Sequence, residues 1–220
     1  MMHVNRDAYP QLVQLTQQQH VTLVAVSKTK PVAAIQELYD LGQRDFGENY
    51  VQELVAKQPQ LPADIRWHFI GHLQTNKVKY IAPFVHLIHG VDSWKLLAEI
   101  DKQARRNQRT IDVLLQVHIA REETKFGLDA AELQQLLQQW QQQPLPQVRI
   151  QGLMGMASFS NDENLIRSEF RMLKQLFDTY KNMHPNWDIL SMGMSGDYTI
   201  ALQEGSNLLR IGSLLFGARN

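Results

Sequence analysis

The chain has 220 residues, 44% of them hydrophobic, with 22 Lys plus Arg against 22 Asp plus Glu and a formal net charge of +0. That length fits one large domain with a sizeable core, and the charge balance offers neither a basic surplus for nucleic acid nor an acidic tail. The absence of cysteine excludes disulfides and thiolate metal sites and fits a reducing compartment, with small molecules as the expected partners.

The N-terminal stretch "MMHVNRDAYPQLVQLTQQQH" lacks the apolar core of a signal peptide and reads as a helix. No later apolar run approaches the roughly 20 residues of a membrane span, so the expectation is a soluble cytoplasmic protein with no membrane partner. After the first helix, two periods alternate. Short β-rich runs are predicted at Val21–Ser27, near Asp45–Gly47, and at Trp67–Ile70, Val85–His89, Ile111–Val117, Val148–Met154, Trp187–Leu190 and Leu208–Ile211. Between them lie segments of helical spacing. "AAIQELYDLG" ends in Gly42 as a C-cap, "SWKLLAEIDKQARRN" opens on Ser93 as an N-cap, and "AELQQLLQQWQQQ" follows. "NLIRSEFRMLKQLFDTYKNM" carries an apolar stripe through Leu165, Phe170, Leu173, Leu176, Phe177 and Tyr180.

About eight strand–helix units imply right-handed βαβ crossovers and a parallel sheet. In 220 residues they fit a compact (β/α)₈ TIM-type barrel over residues 1–220, a single domain with an extra N-terminal helix lying where an eighth helix would. A doubly wound open sheet is the competing reading. The glutamine-rich patches near Gln17 and Gln141 read as solvated helix surface.

The first run closes as "VAVSKTKP", with Lys28 at the strand's C-terminal end, the active-site face of a barrel. Period two places Lys28 on the face of Thr22, Val24 and Val26. An amine on an apolar floor, with Lys30 nearby, is disfavoured as ammonium and suited to attack a carbonyl. The bland alternative is a surface charge at a strand end. Lys30, before Pro31, is expected to be the solvated lysine of the pair.

At the other end stands "SMGMSGDYTIALQEGSNLLRIGSLLFGAR". Gly193, Ser195 and Gly196 precede a short helix predicted at 197–203, and Gly212 and Ser213 follow the eighth strand directly. Loops after strands seven and eight are where barrels hold phosphate, with backbone N–H groups turned to the anion. Two ligand-free tight turns are the alternative. An imine-forming lysine with a phosphate cradle suggests pyridoxal phosphate, or a sugar-phosphate Schiff-base aldolase. Arg210 separates these, because it lies two residues before Gly212, where it would face a pyridine nitrogen. A permanent guanidinium cannot accept a proton, so it leaves that nitrogen unprotonated and the ring a poor electron sink.

The motifs "LVAVSKTKP", "DFGENYVQE", "WHFIGHLQTNK", "GLM", "LSMGMSGDY" and "LLRIGSLLFGAR" together resemble the pyridoxal phosphate homeostasis proteins, relatives of the alanine racemase barrel domain. The resemblance implies a barrel carrying pyridoxal 5'-phosphate on Lys28 as a Schiff base. It places Ser195, Gly196, Gly212 and Ser213 on the phosphate and Arg210 at the ring nitrogen. Asn49 would lie near the phenolic oxygen, although helix N-capping fits its context equally well. His72 would approach the ring or be structural. The family buffers and delivers the cofactor, with pyridoxal phosphate-dependent apo-enzymes as recipients, and lacks robust catalysis. Racemase chemistry needs a second acid/base group, supplied in alanine racemase by a C-terminal domain across a dimer. The sequence ends at Asn220 with no segment for one, so a monomeric carrier is expected; a single-domain amino-acid racemase is the alternative. One departure concerns "QVHIAREETKFG", where His118 and Ala120 replace the family's usual residues while Lys125 and Gly127 keep the loop's character.

Overall fold

The computed structural model describes residues 4–122 and 124–217. The two predicted periods resolve into an eight-stranded closed parallel barrel in the order β1 to β8, with β8 returning to pair with β1. In chain order the strands are β1 (Thr22–Val26), β2 (Asp45–Glu48), β3 (Arg66–Phe69), β4 (Leu87–Val91), β5 (Ile111–Val117), β6 (Val148–Gly155), β7 (Ile189–Ser191) and β8 (Leu208–Ile211). The helices are α1 (Ala8–Gln18), α2 (Val32–Asp40), α3 (Val51–Lys57), α4 (Val78–Ile81), α5 (Trp94–Arg106), α6 (Ala130–Gln142), α7 (Glu163–Met183), α8 (Tyr198–Gln203) and α9 (Ser213–Phe216). The open doubly wound sheet is thereby excluded. Among the described residues, no helix is long and apolar enough to cross a membrane.

Local sequence explains the ends. The Ser93 hydroxyl accepts from Leu96 N–H at the start of α5, and Asp129 and Glu132 form a reciprocal capping box on α6. Gly42, with φ +109°, donates its N–H to Tyr39 O and terminates α2 as expected. Two strands start two residues later than expected. Val85 N–H donates to Ile81 O and closes the turn after α4, so β4 begins two residues later. Trp187 N–H donates to His184 O while its ring packs on Phe177 and Tyr180, so this apolar residue belongs to the turn beneath α7 rather than to β7. The N-terminal helix takes the predicted place: Asn5 N–H donates to Leu215 O beside α9, and the Tyr9 hydroxyl donates to Gln43.

Two cores follow from strand alternation. The larger lies between barrel and helices, around Phe46, Phe69, Ile100, Leu115, Phe170 and Leu190. The smaller fills the barrel: Val24, Leu87, Leu114, Met154 and Leu208, with Met156 and Ile189 packed against it. This plug closes the barrel and gives the mouth an apolar floor.

Candidate functional site

A cavity of about 360 Å³ opens at the C-terminal ends of the strands and brings together Lys28, Asn49, Ser195, Gly196, Arg210, Gly212 and Ser213. The sequence-predicted residues therefore share one site. Its walls are apolar, from Val26, Ile70, Met156 and Met194, and Phe159, 98% exposed, stands at its edge.

Lys28 lines this cavity on the inward side set by Val24 and Val26. The next residue, Thr29, has φ +63°, a left-handed conformation strained for a β-branched residue. Glu53 holds that turn by accepting the Thr29 N–H at 2.5 Å. The Lys57 ammonium, buried beneath it, donates to Ser27 O at 2.8 Å, Glu48 at 2.7 Å and Glu53 at 2.6 Å. Ser27 Oγ adds a bond to Glu48 at 2.6 Å. Burial pushes the Glu48 carboxyl up, against the pull of the Lys57 charge. The Lys28 turn is thus bolted to α3 by a buried ionic cluster. The cluster was not foreseen, although Glu53 and Lys57 at i, i+4 in "QELVAK" is a readable signal.

Lys30 corrects an expectation. It is buried rather than solvated, at 6% exposure, and donates to Phe216 O at 3.0 Å and Gly217 O at 3.4 Å. Those carbonyls belong to the end of α9, where helix geometry leaves acceptors without intrahelical donors. Only the return of β8 to β1 brings the two segments together.

The cradle is built from two turns. After β7, the Asp197 carboxylate accepts Met194 N–H at 2.6 Å while Asp197 N–H returns to Met194 O at 3.1 Å. Burial raises the Asp197 carboxyl, with the Met194 bond and the Arg210 charge opposing. Gly193 is required here: φ is +97°, and a Cβ would lie 2.6 Å from the Ala201 methyl. After β8, Gly212 N–H and Leu214 N–H both point at Ser195 Oγ, at 3.2 and 3.4 Å. A Cβ on Gly196 would meet nothing within 4 Å. Convergent N–H groups on long bonds to a movable hydroxyl, beside open space, fit a phosphoryl group. Asn49 Oδ1 is buried without a partner and lines the same cavity, a polar group left for an occupant to satisfy. Asn49 does not cap α3, whose N-cap is Tyr50.

Arg210 is buried at the cavity base, its guanidinium donating to Ser191 Oγ at 2.5 Å and Gly155 O at 2.9 Å. Burial lowers its pKa to about 10, with Asp197 opposing, so it stays cationic at neutral pH. His72 stands apart from the main cavity, stacked on Phe126 at 4.1 Å and 3.5 Å from Asp92. His118 Nε2 lies 3.0 Å from Glu122 O within the loop after β5, and Lys125 donates to Ala157 O at 2.6 Å, tying that loop to the one after β6. Glu123 of that loop, with Ala218 and Arg219 of the last motif, lies outside the described residues.

A closed parallel barrel whose mouth joins a lysine at the end of β1 to small-residue turns after β7 and β8 defines a (β/α)₈ barrel protein with its candidate site at the C-terminal ends of the strands. The family model for "Alanine racemase, N-terminal domain" matches residues 5–220. The pyridoxal phosphate homeostasis protein of Aquifex aeolicus is 42% identical over 202 residues, 90% of this chain and 86% of that protein. Its counterpart in Escherichia coli K12 is 38% identical over 209 residues, 92% and 87%. PipY of Synechococcus elongatus, solved with pyridoxal phosphate bound, is 38% identical with a TM-score of 0.86 over 96% of this chain and 100% of that one. The chain belongs to the alanine racemase N-terminal domain family and, within it, to the pyridoxal phosphate homeostasis proteins. An alanine racemase of Clostridium difficile, 12% identical with a TM-score of 0.76 over 99% of this chain and 61% of that one, shares the fold.

Proposed function

We propose that this chain holds pyridoxal 5'-phosphate as a Schiff base on Lys28 and serves in its homeostasis, buffering and delivering it without robust catalysis. The observation that carries this reading is the meeting, at one cavity, of Lys28, the Gly212 and Leu214 N–H groups that converge on Ser195 Oγ, and a buried guanidinium. The relative with the cofactor bound supports it. Lys28 would hold the cofactor through its aldehyde, Ser195, Gly196, Gly212 and Ser213 would hold its phosphate, and Asn49 would lie toward its phenolic oxygen. When bound, the group would supply an electron sink for carbanion chemistry. Arg210 would weaken that sink, because a guanidinium facing the ring nitrogen donates a hydrogen bond without giving up its proton.

The runner-up, a single-domain racemase, needs a second acid/base group. Two tyrosines that could supply one, Tyr50 and Tyr198, do not line the cavity: Tyr50 borders a neighbouring hollow, half exposed, and Tyr198 opens α8. Their placement supports the carrier. A cytoplasmic monomer of one domain over residues 1–220, passing its cargo to pyridoxal phosphate-dependent apo-enzymes, completes the proposal. The test is an absorbance spectrum of the purified protein before and after borohydride, followed by peptide mapping. A reduced adduct on the peptide containing Lys28 is expected; an adduct elsewhere, or none after adding the vitamer, overturns the reading. Exchange of the α-hydrogen of alanine in deuterated water at about 1 per second or faster would favour the racemase.

A further inference from the structure

Beneath the cavity, a chain of hydrogen bonds crosses the barrel interior. Arg210 Nη1 meets Ser191 Oγ at 2.5 Å, and Ser191 Oγ lies 3.1 Å from His89 Nδ1. His89 Nε2 lies 2.9 Å from His68 Nδ1, and His68 Nε2 lies 3.0 Å from Asp45 Oδ1. The members come from β8, β7, β4, β3 and β2. Strands β4 and β7 are not neighbours, so the His89–Ser191 bond spans the lumen. His68, His89, Ser191 and Arg210 are all nine-tenths or more buried. At the floor, Arg66 grips both oxygens of Asp45 and His86 packs edge-on against His68. Asp45, His68 and His86 have a metal-like grouping, but the Arg66 guanidinium already takes the cation's place on Asp45.

The two ends impose a direction. A guanidinium can only donate and a carboxylate can only accept. With both imidazoles neutral, Asp45 requires the proton of His68 on Nε2, leaving its Nδ1 bare. His89 must then donate from Nε2, and its own bare Nδ1 must accept from Ser191. Ser191 Oγ in turn accepts from Arg210. Burial, with the Arg210 charge nearby, pushes His89 well down and keeps it neutral. Hydrogen bonds from His68 and Arg66 hold the Asp45 carboxyl at about 2 despite the opposing effect of burial, so the accepting end is ionised. With both rings neutral, every bond in the run is satisfied by one proton order and by no other.

We propose that Ser191, His89 and His68 are positioning residues for Arg210, a chain of single proton order anchored at the barrel floor by Asp45 that holds the guanidinium as a fixed donor beneath the cofactor's ring nitrogen. The inference rests on the proposed binding of pyridoxal phosphate at Lys28 and extends that site through the barrel to its opposite face. Arg210 Nη2 also donates to Gly155 O at 2.9 Å, so the chain and this carbonyl hold the guanidinium at two points.

The test has two readouts on the full chain. In the first, long-range ¹H–¹⁵N spectra of ¹⁵N-histidine-labelled protein without cofactor report both tautomers at neutral pH, with His68→Gln and His89→Gln used for assignment. Protons on Nε2 of both rings are expected, and a proton on Nδ1 of either overturns the proton order. In the second, the absorption band of the pyridoxal phosphate-loaded protein is compared across variants. Ser191→Ala is expected to shift the band and move the His89 Nδ1 resonance, and Ser191→Thr, which keeps the hydroxyl, to restore both. Ser206→Ala, a buried hydroxyl outside the chain, is expected to change neither. A folded Ser191→Ala protein with an unshifted band overturns the link to the ring. If Ser191→Ala fails to fold, the wild-type tautomers still decide. Loss of the band in the wild type would refute the Lys28 reading and the link together, while the tautomers, measured without cofactor, judge the chain independently.

Discussion

The two ends of this barrel use similar polar side chains in opposite ways. At the floor, Asp45 has partners on both oxygens, from Arg66 and His68, and the histidines above it pass hydrogen bonds onward. At the mouth, Asn49 Oδ1 is buried with no partner, and the Gly212 and Leu214 N–H groups share one serine oxygen over 3.2 and 3.4 Å. A saturated network holds shape, whereas buried groups left short of partners are places for a ligand. Behind Lys28, Lys57 pairs with Oε1 of Glu48 and of Glu53 while Glu48 Oε2 stays buried without a partner, and the cavity in front stays open.

Four variants probe this contrast, in falling order of expected effect. Lys28→Ala is expected to abolish the borohydride-trappable adduct altogether while leaving the fold intact; an alanine protein that stays yellow after gel filtration would shift attention to Lys30. Lys57→Met removes the cation from the ionic cluster and leaves Glu48 buried beside it. Urea unfolding should show a loss of about 3–5 kcal/mol, as for other broken buried pairs, and a loss below about 1 kcal/mol would mean that the cluster is effectively solvated.

Asp45→Asn tests the floor by pH. The native carboxyl titrates at about 2, below its ordinary 3.8, so the stability it confers is present above about pH 4 and disappears as pH falls through 2. The difference is on the order of 2 kcal/mol, and the asparagine protein should lack that acid-sensitive step in its stability profile. Ser195→Ala with Ser213→Ala weakens the cradle most gently, because backbone donors remain. About a tenfold loss in affinity for the phosphorylated vitamer, with pyridoxal itself little affected, is expected from titration. Equal losses on both would place the phosphate elsewhere.

Much of the site was legible in the chain. Lys28 at a strand end, Arg210 two residues before Gly212, and the small residues flanking β7 and β8 are local features, set by strand period and turn chemistry. The partners behind them were not. Lys30 reads as solvated beside a proline, yet it caps α9 from 186 residues away in sequence. His68 and His89 lie in two ordinary β-rich runs, and nothing near them announces a link to Ser191, 102 residues beyond His89. Asp197 sits in a segment read for its glycines and serines, and its capture of Met194 N–H is a three-residue contact that "MSGD" could have signalled.

By itself the sequence determined the alternation of strands and helices and the chemistry available at the strand ends, because period and capping act within a few residues. Tertiary structure alone decided which polar groups are satisfied and which are left open. Closing β8 against β1 and facing β4 to β7 across the lumen sets distances between residues far apart in sequence, and a hydrogen bond depends on those distances to within a few tenths of an ångström.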